Sequence, residues 1–383
     1  MKKVILGILV VVLLSACSPT SSVPAAMETK PAVENTPEVV EQPTLEPTME
    51  SAAEGFTVVD ALGREVTFTT PPTRIVVTGK ALFMVLDAVY TFPQASERIV
   101  AIGNATQGSS NFISLIDPKY EEKTILPQDA GAEQIAASQP DLVILKSSVA
   151  ETLGKPLEEL NIPVVYIDFE TPEQYERDLT ILGKIFQAEA RAQEVNKYFK
   201  NNVEEIQNTL SSVTEKPSVL MLYYSNKDGA VAFNVPPLEW MQTQIVELAG
   251  GTPVWADANP AKGWTKVTLE QVAAWDADNI YIIAYTANPV EVVEQLKQDP
   301  QWQSLRAVQE NKLFAFPGDL YSWDQPDTRW ALGLDWLAAN LHPEQFPDFD
   351  ASRKATEFYQ TLYNLDENFV KENIQPTFRG VLP

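Results

Sequence analysis

The sequence predicts an α/β protein of two similar α/β lobes, each a mainly parallel sheet flanked by helices. One long rigid helix joins them, with a ligand cleft between the lobes. Three observations carry this prediction. One is a repeat: Glu133, Gln134, Ala136, Ala137 and Asp141 recur as Glu270, Gln271, Ala273, Ala274 and Asp278. Ile135/Val272, Val143/Ile280 and Leu145/Ile282 are conservative exchanges within it. Each copy reads as a short helix, a polar exit and an apolar strand, one unit used twice. The second is an alternation of strand-like and helix-like runs, which means parallel sheets covered by helices. The third is a long run with Val195, Tyr198, Phe199, Val203, Ile206 and Leu210 on one helical face.

The chain opens with Lys2 and Lys3 before an apolar run, Val4 to Leu14. That run is too short to cross a bilayer and suits a signal peptide over residues 1–16. Leu14-Ser15-Ala16-Cys17 resembles the lipobox of bacterial lipoproteins, in which the cysteine becomes the acylated N-terminus. Cys17 is the only cysteine, so no disulfide is available to the mature chain. Residues 17–55 alternate prolines (Pro19, Pro24, Pro31, Pro37, Pro43, Pro47) with glutamates and hold almost no aromatics. Such a segment buries too little to offset its ordering entropy and is expected to be a disordered tether of about 35 Å reach.

The first lobe is expected over 56–170. A hairpin around Asp60-Ala-Leu-Gly-Arg64 leads to strands at 74–77, 98–103, 141–145 and 163–167. Helices alternate with them at 81–90, 111–116, 132–138 and 150–160. Linking helices follow over 171–216: Thr171, Pro172 and Gln174 mark a helix start, Gly183 an interruption, and Lys216-Pro217 the end. The second of these, about 25 residues or roughly 37 Å, reads as a rigid strut that permits only small opening motions. The second lobe, 217–345, is expected to place strands at 218–224, 279–285 and 312–316 and helices near 238–248, 269–274, 290–296 and 329–341. A helical tail occupies 346–383.

A formal net charge of −24 argues against nucleic acid as a partner. The chain has no Gly-x-Ser-x-Gly elbow, Walker A, Gly-x-Gly-x-x-Gly, His-Glu-x-x-His or Cys-x-x-Cys motif, so no catalytic residue is assigned. Its single histidine, His342, stands at a helix exit, so a multi-histidine Zn or Mn site cannot be built. No metal ligand is assigned.

Pro72-Thr-Arg-Ile-Val-Val77, the Pro140-Asp141 turn, Leu248-Ala-Gly-Gly251 and Val267-Thr-Leu-Glu-Gln-Val272 occur in that order, with the strut between. Over about residues 56–345 this resembles the substrate-binding lipoproteins of ABC importers, in the iron-complex (siderophore/haem) and cobalamin branch. The resemblance implies a non-enzymatic, monomeric, extracytoplasmic protein, anchored to the membrane by lipid and partnered by an ABC permease and its ATPase. It implies Glu122 and Glu239 as the permease-docking pair. It also places the ligand at loops on the carboxyl ends of the strands, which here contain Lys80, Asn104, Tyr224, Trp264, Tyr321, Trp323 and Arg329. Arg329 opens a helix, where a guanidinium and backbone N–H groups together favour an anionic ligand group. No intrinsic cofactor is implied. The expected cargo is a metal chelate such as a ferric siderophore or cobalamin, because aromatic loops suit a broad organic face. Molybdate or tungstate is the alternative, and an anchored hydrolase or chelatase using Asp257, Asp319, Asp324 and Asp327 is the remote one.

Overall fold

A computed structural model describes residues 55–104, 111–227, 229–259 and 263–380. The signal peptide, Cys17 and the tether lie outside the described residues, as does most of the loop after Asn104. Among the described residues, no helix is long and apolar enough to cross a membrane.

The opening hairpin pairs β1 (Phe56–Val59) with β2 (Glu65–Phe68), and Asp60 closes its turn by accepting the Leu62 and Arg64 N–H groups. The first sheet contains β3 (Ile75–Val77), β4 (Ile99–Gly103), β5 (Thr124–Leu126), β6 (Leu142–Lys146) and β7 (Val164–Ile167). Its order is β5-β4-β3-β6-β7, every pair parallel. The central strands are buried on both faces, as a parallel sheet sandwiched by helices requires.

The second sheet is mixed. β8 (Ser218–Lys227) and β9 (Ala230–Val235) form an antiparallel hairpin, β10 (Thr252–Pro253) and β12 (Asn279–Ile283) lie parallel to β8, β11 (Thr265–Val267) runs antiparallel to β9, and β13 (Leu313–Ala315) parallels β12. The two lobes are therefore alike in their parallel halves only. The sequence reading ends β8 at Tyr224 and passes over β9, although Asp228-Gly229 is a hairpin signal and Gly229 stands at φ +78°.

The repeat has one mechanical job in both lobes. Gln134 accepts the Gly131 N–H at 3.0 Å, and Gln271 accepts the Thr268 N–H at 2.9 Å, each closing the first turn of its helix, Ala132–Ala136 or Leu269–Trp275. Asp141 accepts the Thr73 and Arg74 N–H groups at 2.8 and 2.9 Å. Asp278 accepts the Ser218 N–H and hydroxyl, both at 2.8 Å. Each aspartate staples the start of the strand beside its own, β3 in one lobe and β8 in the other.

Between the lobes run the helices Pro172–Phe186 and Glu189–Thr209. Gly183 does not interrupt the first. It lets the two helices cross closely, since a Cβ there would meet the Ala192 Cβ at 2.5 Å. The break falls at Gln187, in the left-handed region at φ 53°. The second helix has 21 residues, shorter than the sequence suggests, and spans about 31 Å at the usual rise. One hydrophobic core runs from the first lobe through this joint into the second lobe and the tail helix Ala351–Tyr363.

Candidate ligand site between the lobes

The carboxyl edges of the two sheets face each other. Phe83, six residues past β3, packs on Tyr321, which follows β13, with ring centroids 4.7 Å apart. The Phe112 N–H donates to the Tyr321 hydroxyl at 3.2 Å. The site is therefore built from post-strand segments of both lobes.

On the first lobe, β3 runs into Gly79 at φ +103°, exposed Lys80, and Ala81 at φ 51°. The next helix, Leu82–Val89, is buried along its whole length and has no side-chain cap at its start. Asn104, at the end of β4, is exposed and donates its backbone N–H to Leu126.

On the second lobe, four half-buried rings form a wall. Tyr223 of β8 lies 4.7 Å from Tyr285, just past β12, and 5.0 Å from Trp264, just before β11. Trp240 meets Trp264 edge-on at 5.7 Å. Beneath them sits Asp324, wholly buried, whose carboxylate accepts from the Tyr285 hydroxyl at 2.7 Å, Gln242 at 3.3 Å and Ser322. Burial raises the Asp324 pKa, opposed by the Ser322, Tyr285 and Gln242 hydrogen bonds.

Of the expected site residues, Trp264 is part of this wall and Tyr224 is not. Successive strand residues point to opposite faces, so Tyr223 takes the site and Tyr224 packs on Phe233 at 5.8 Å, on the other side of the sheet. Sequence reasoning misses Trp240, Tyr285 and Gln242. The parity of β8 was the available signal for Tyr223; the other three meet only through the fold.

Arg329, Tyr321 and Trp323 are core residues here, 0%, 2% and 1% exposed. The Arg329 guanidinium pairs with Asp87 of the first lobe, with Asp319 at 2.8 Å and with Asp327 at 3.8 Å. It also donates to the Tyr359 hydroxyl of the tail at 2.9 Å and lies 4.6 Å above the Phe112 ring. Its charge is consumed within the protein, so it does not present itself to an anionic ligand. The reason was invisible in the sequence, because Asp87 is 242 positions away. Trp323 donates its indole N–H to Asp319 at 3.1 Å and meets Phe378 edge-on. Burial pushes Asp87 up to about 6 against the opposing pull of Arg329, and burial likewise raises Asp327. The tail adds a Tyr363 hydroxyl donating to the Asp87 carbonyl, and Arg191 reaches the Thr91 carbonyl on one side and the Thr361 and Leu362 carbonyls on the other. The lobes are clasped at the rear of the site by buried charge.

A groove of about 680 Å³ lies between the two linking helices, floored by Tyr175, Phe199 and Trp330. Those rings pack on one another, and the groove is not lined by the post-strand residues described above. Among the described residues no group of three or more His, Cys, Asp and Glu side chains is arranged to hold a metal ion. Glu122, just before β5, and Glu239, in the turn before the helix Met241–Leu248, are both exposed.

The sequence profile of the family described as periplasmic binding protein matches residues 75–320. The molybdate-binding protein MolA of Haemophilus influenzae is 26% identical over 281 residues, covering 67% of this chain and 77% of that one. The high-affinity heme uptake system protein IsdE of Staphylococcus aureus is 22% identical over 192 residues, 49% of this chain and 63% of IsdE. Among solved structures, a periplasmic solute binding protein from Veillonella parvula superposes with a TM-score of 0.67 at 24% identity, over 85% of this chain and 100% of that one.

Proposed function

The chain belongs to the periplasmic binding protein family, extracytoplasmic solute carriers of ABC transporters, and from that premise we propose that its cargo is a metal chelate with a broad organic face. The observation that carries this is the aromatic wall of Tyr223, Trp240, Trp264 and Tyr285, four half-buried rings on one lobe. Rings of this kind gain by covering flat π surface or apolar ligand edges, and bury little that must be hydrogen-bonded. Ferric siderophores, corrinoids and haem share such faces. The permease and its ATPase receive the cargo, with Glu122 and Glu239 as the docking pair on the two lobes. Acylation of Cys17 holds the monomeric protein at the membrane, on the end of the Pro/Glu tether.

Molybdate is the second reading. MolA, described as molybdate-binding, is a relative over most of its length. The uncapped start of the helix Leu82–Val89, beside exposed Lys80, offers the backbone N–H groups that an oxyanion needs.

Calorimetry of the full chain against ferric siderophores, cobalamin, haem and molybdate decides between them. The expected result is at least one chelate binding below about 10 μM, roughly −7 kcal/mol. Trp264→Ala is expected to weaken that binding about tenfold or more at unchanged melting temperature, while Tyr224→Ala leaves it intact. Molybdate binding alone would select the second reading, and no binding to any of the four would sink both.

A further inference from the structure

Gly318, in the loop after β13, is buried, so its backbone N–H and C=O need partners inside the protein. Arg379 supplies both: each of the two backbones donates to the other's carbonyl at 2.9 Å. On one side of Arg379, Phe378 meets Trp323 edge-on at 5.7 Å. On the other, Gly380, at φ +95°, lies so close to the loop that a Cβ would stand 2.5 Å from the Pro317 Cα. Residues 378–380 are thus laid as a strap over the loop between β13 and the helix Trp330–Leu341. All three stand beyond the residues 75–320 that match the family profile.

The loop is held at two points. At one, Asp319 is fixed by Arg329, Trp323 and Tyr359. At the other, the strapped Gly318 bridges Ser322, and the Trp323 N–H donates to the Pro317 carbonyl at 3.0 Å. The Ser322 hydroxyl donates to one oxygen of Asp324. The other oxygen receives the Tyr285 hydroxyl at 2.7 Å and the Gln242 amide at 3.3 Å. Tyr285 in turn stacks on Tyr223 at 4.7 Å. An unbroken series of contacts therefore runs from the strap to the ring wall. Asp324 is wholly buried, so a carboxylate drawn away from these donors would stand uncompensated. Loop and wall must move together or lose that bond.

We propose that Phe378, Arg379 and Gly380 form a positioning strap for the ligand wall. By anchoring Gly318 they set the place of Asp324, and Asp324 sets Tyr285. The strap touches no cargo and acts only through this series. The proposal rests on the capture reading above and adds to it the support that fixes the rings.

The test labels the full chain with 3-fluorotyrosine and reads its 12 tyrosines by fluorine NMR. The Tyr285 resonance is the one lost in Tyr285→Phe. Gly380→Ala, which drives a Cβ into Pro317, and the milder Phe378→Ala are expected to shift or split the Tyr285 and Tyr223 resonances. Tyr166 of the first lobe should stay in place. Phe378→Tyr keeps a ring against Trp323 and should restore Tyr285 to its wild-type position. A Tyr285 resonance unmoved in both strap variants, or moved no more than Tyr166, would overturn the proposal. Calorimetry of the same proteins against ferric siderophores, cobalamin, haem and molybdate should show binding weakened about fivefold or more in Gly380→Ala. That loss should vanish where Tyr285→Phe has already cut the link to Asp324. Cargo bound equally by wild type and Gly380→Ala removes the strap and leaves the capture reading standing. A displaced Tyr285, with none of the four bound by the wild type, does the reverse.

Discussion

The two copies of the helix–strand joint do the same work in different settings. At the amino edge of each sheet, Gln134 or Gln271 closes a helix turn and Asp141 or Asp278 pins the neighbouring strand. At the carboxyl edge the lobes diverge. The first presents exposed Lys80 and Asn104, while the second presents a wall of four aromatic rings over a buried Asp324. The antiparallel hairpin of β8 and β9 is what the second lobe adds, and it brings Tyr223 and the turn carrying Trp240 to that wall. Shared residues mark the mechanics, and the copies part in what they present at the carboxyl edge.

The largest expected effect lies where the lobes meet. Arg329→Leu leaves Asp87, Asp319 and Asp327 buried without their cation and should cost about 3–5 kcal/mol in urea unfolding. A loss below about 1 kcal/mol would show that the clasp contributes little to joining the lobes.

The next is a pH effect. Asp87 is raised from 3.8 to about 6 in the folded protein, chiefly by burial. A raised pKa contributes stability that is fully present below the unfolded value and is lost as pH rises through the folded one. The stability difference between wild type and Asp87→Asn is therefore expected to shift against wild type by about 2 kcal/mol from pH 4 to pH 7. Parallel pH curves for the two proteins would mean that Asp87 does not titrate in that window.

Smaller effects test the comparison itself. Asp141→Asn and Asp278→Asn should each cost about 1–2 kcal/mol, since each aspartate holds a strand terminus through backbone N–H groups. Asp278 also pairs with Arg306 at 3.0 Å, a half-exposed contact that adds less than about 1 kcal/mol. A cost confined to one lobe would end the claim of equivalent joints. The smallest is the helix turn: Gln134→Ala and Gln271→Ala should each cost about 0.5–1 kcal/mol, again alike in both lobes by thermal melting.

What could be read along the chain was local and periodic. The strands β3, β4, β6, β7 and β12, the linking helices and the repeat all announce themselves through runs of side chains a few residues apart. The place of Trp264 at the start of β11 was legible because it stands beside such a run. Tyr224 was assigned in place of Tyr223 because choosing a face needs the register of β8 against β9, and β9 itself was not recognised. Gly183 looked like a helix breaker because its purpose is the approach of Ala192 from the following helix. Arg329 looked free because its partners come from the first lobe, the loop after β13 and the tail. Each miss involves a contact with a residue of another element.

The clasp also sets an order of assembly. Tyr359 and Tyr363, which complete the surroundings of Arg329 and Asp87, are made long after Asp87. Asp87 is made 276 positions before Tyr363. A chain still being synthesised therefore cannot close its lobes, whatever local structure its first half adopts.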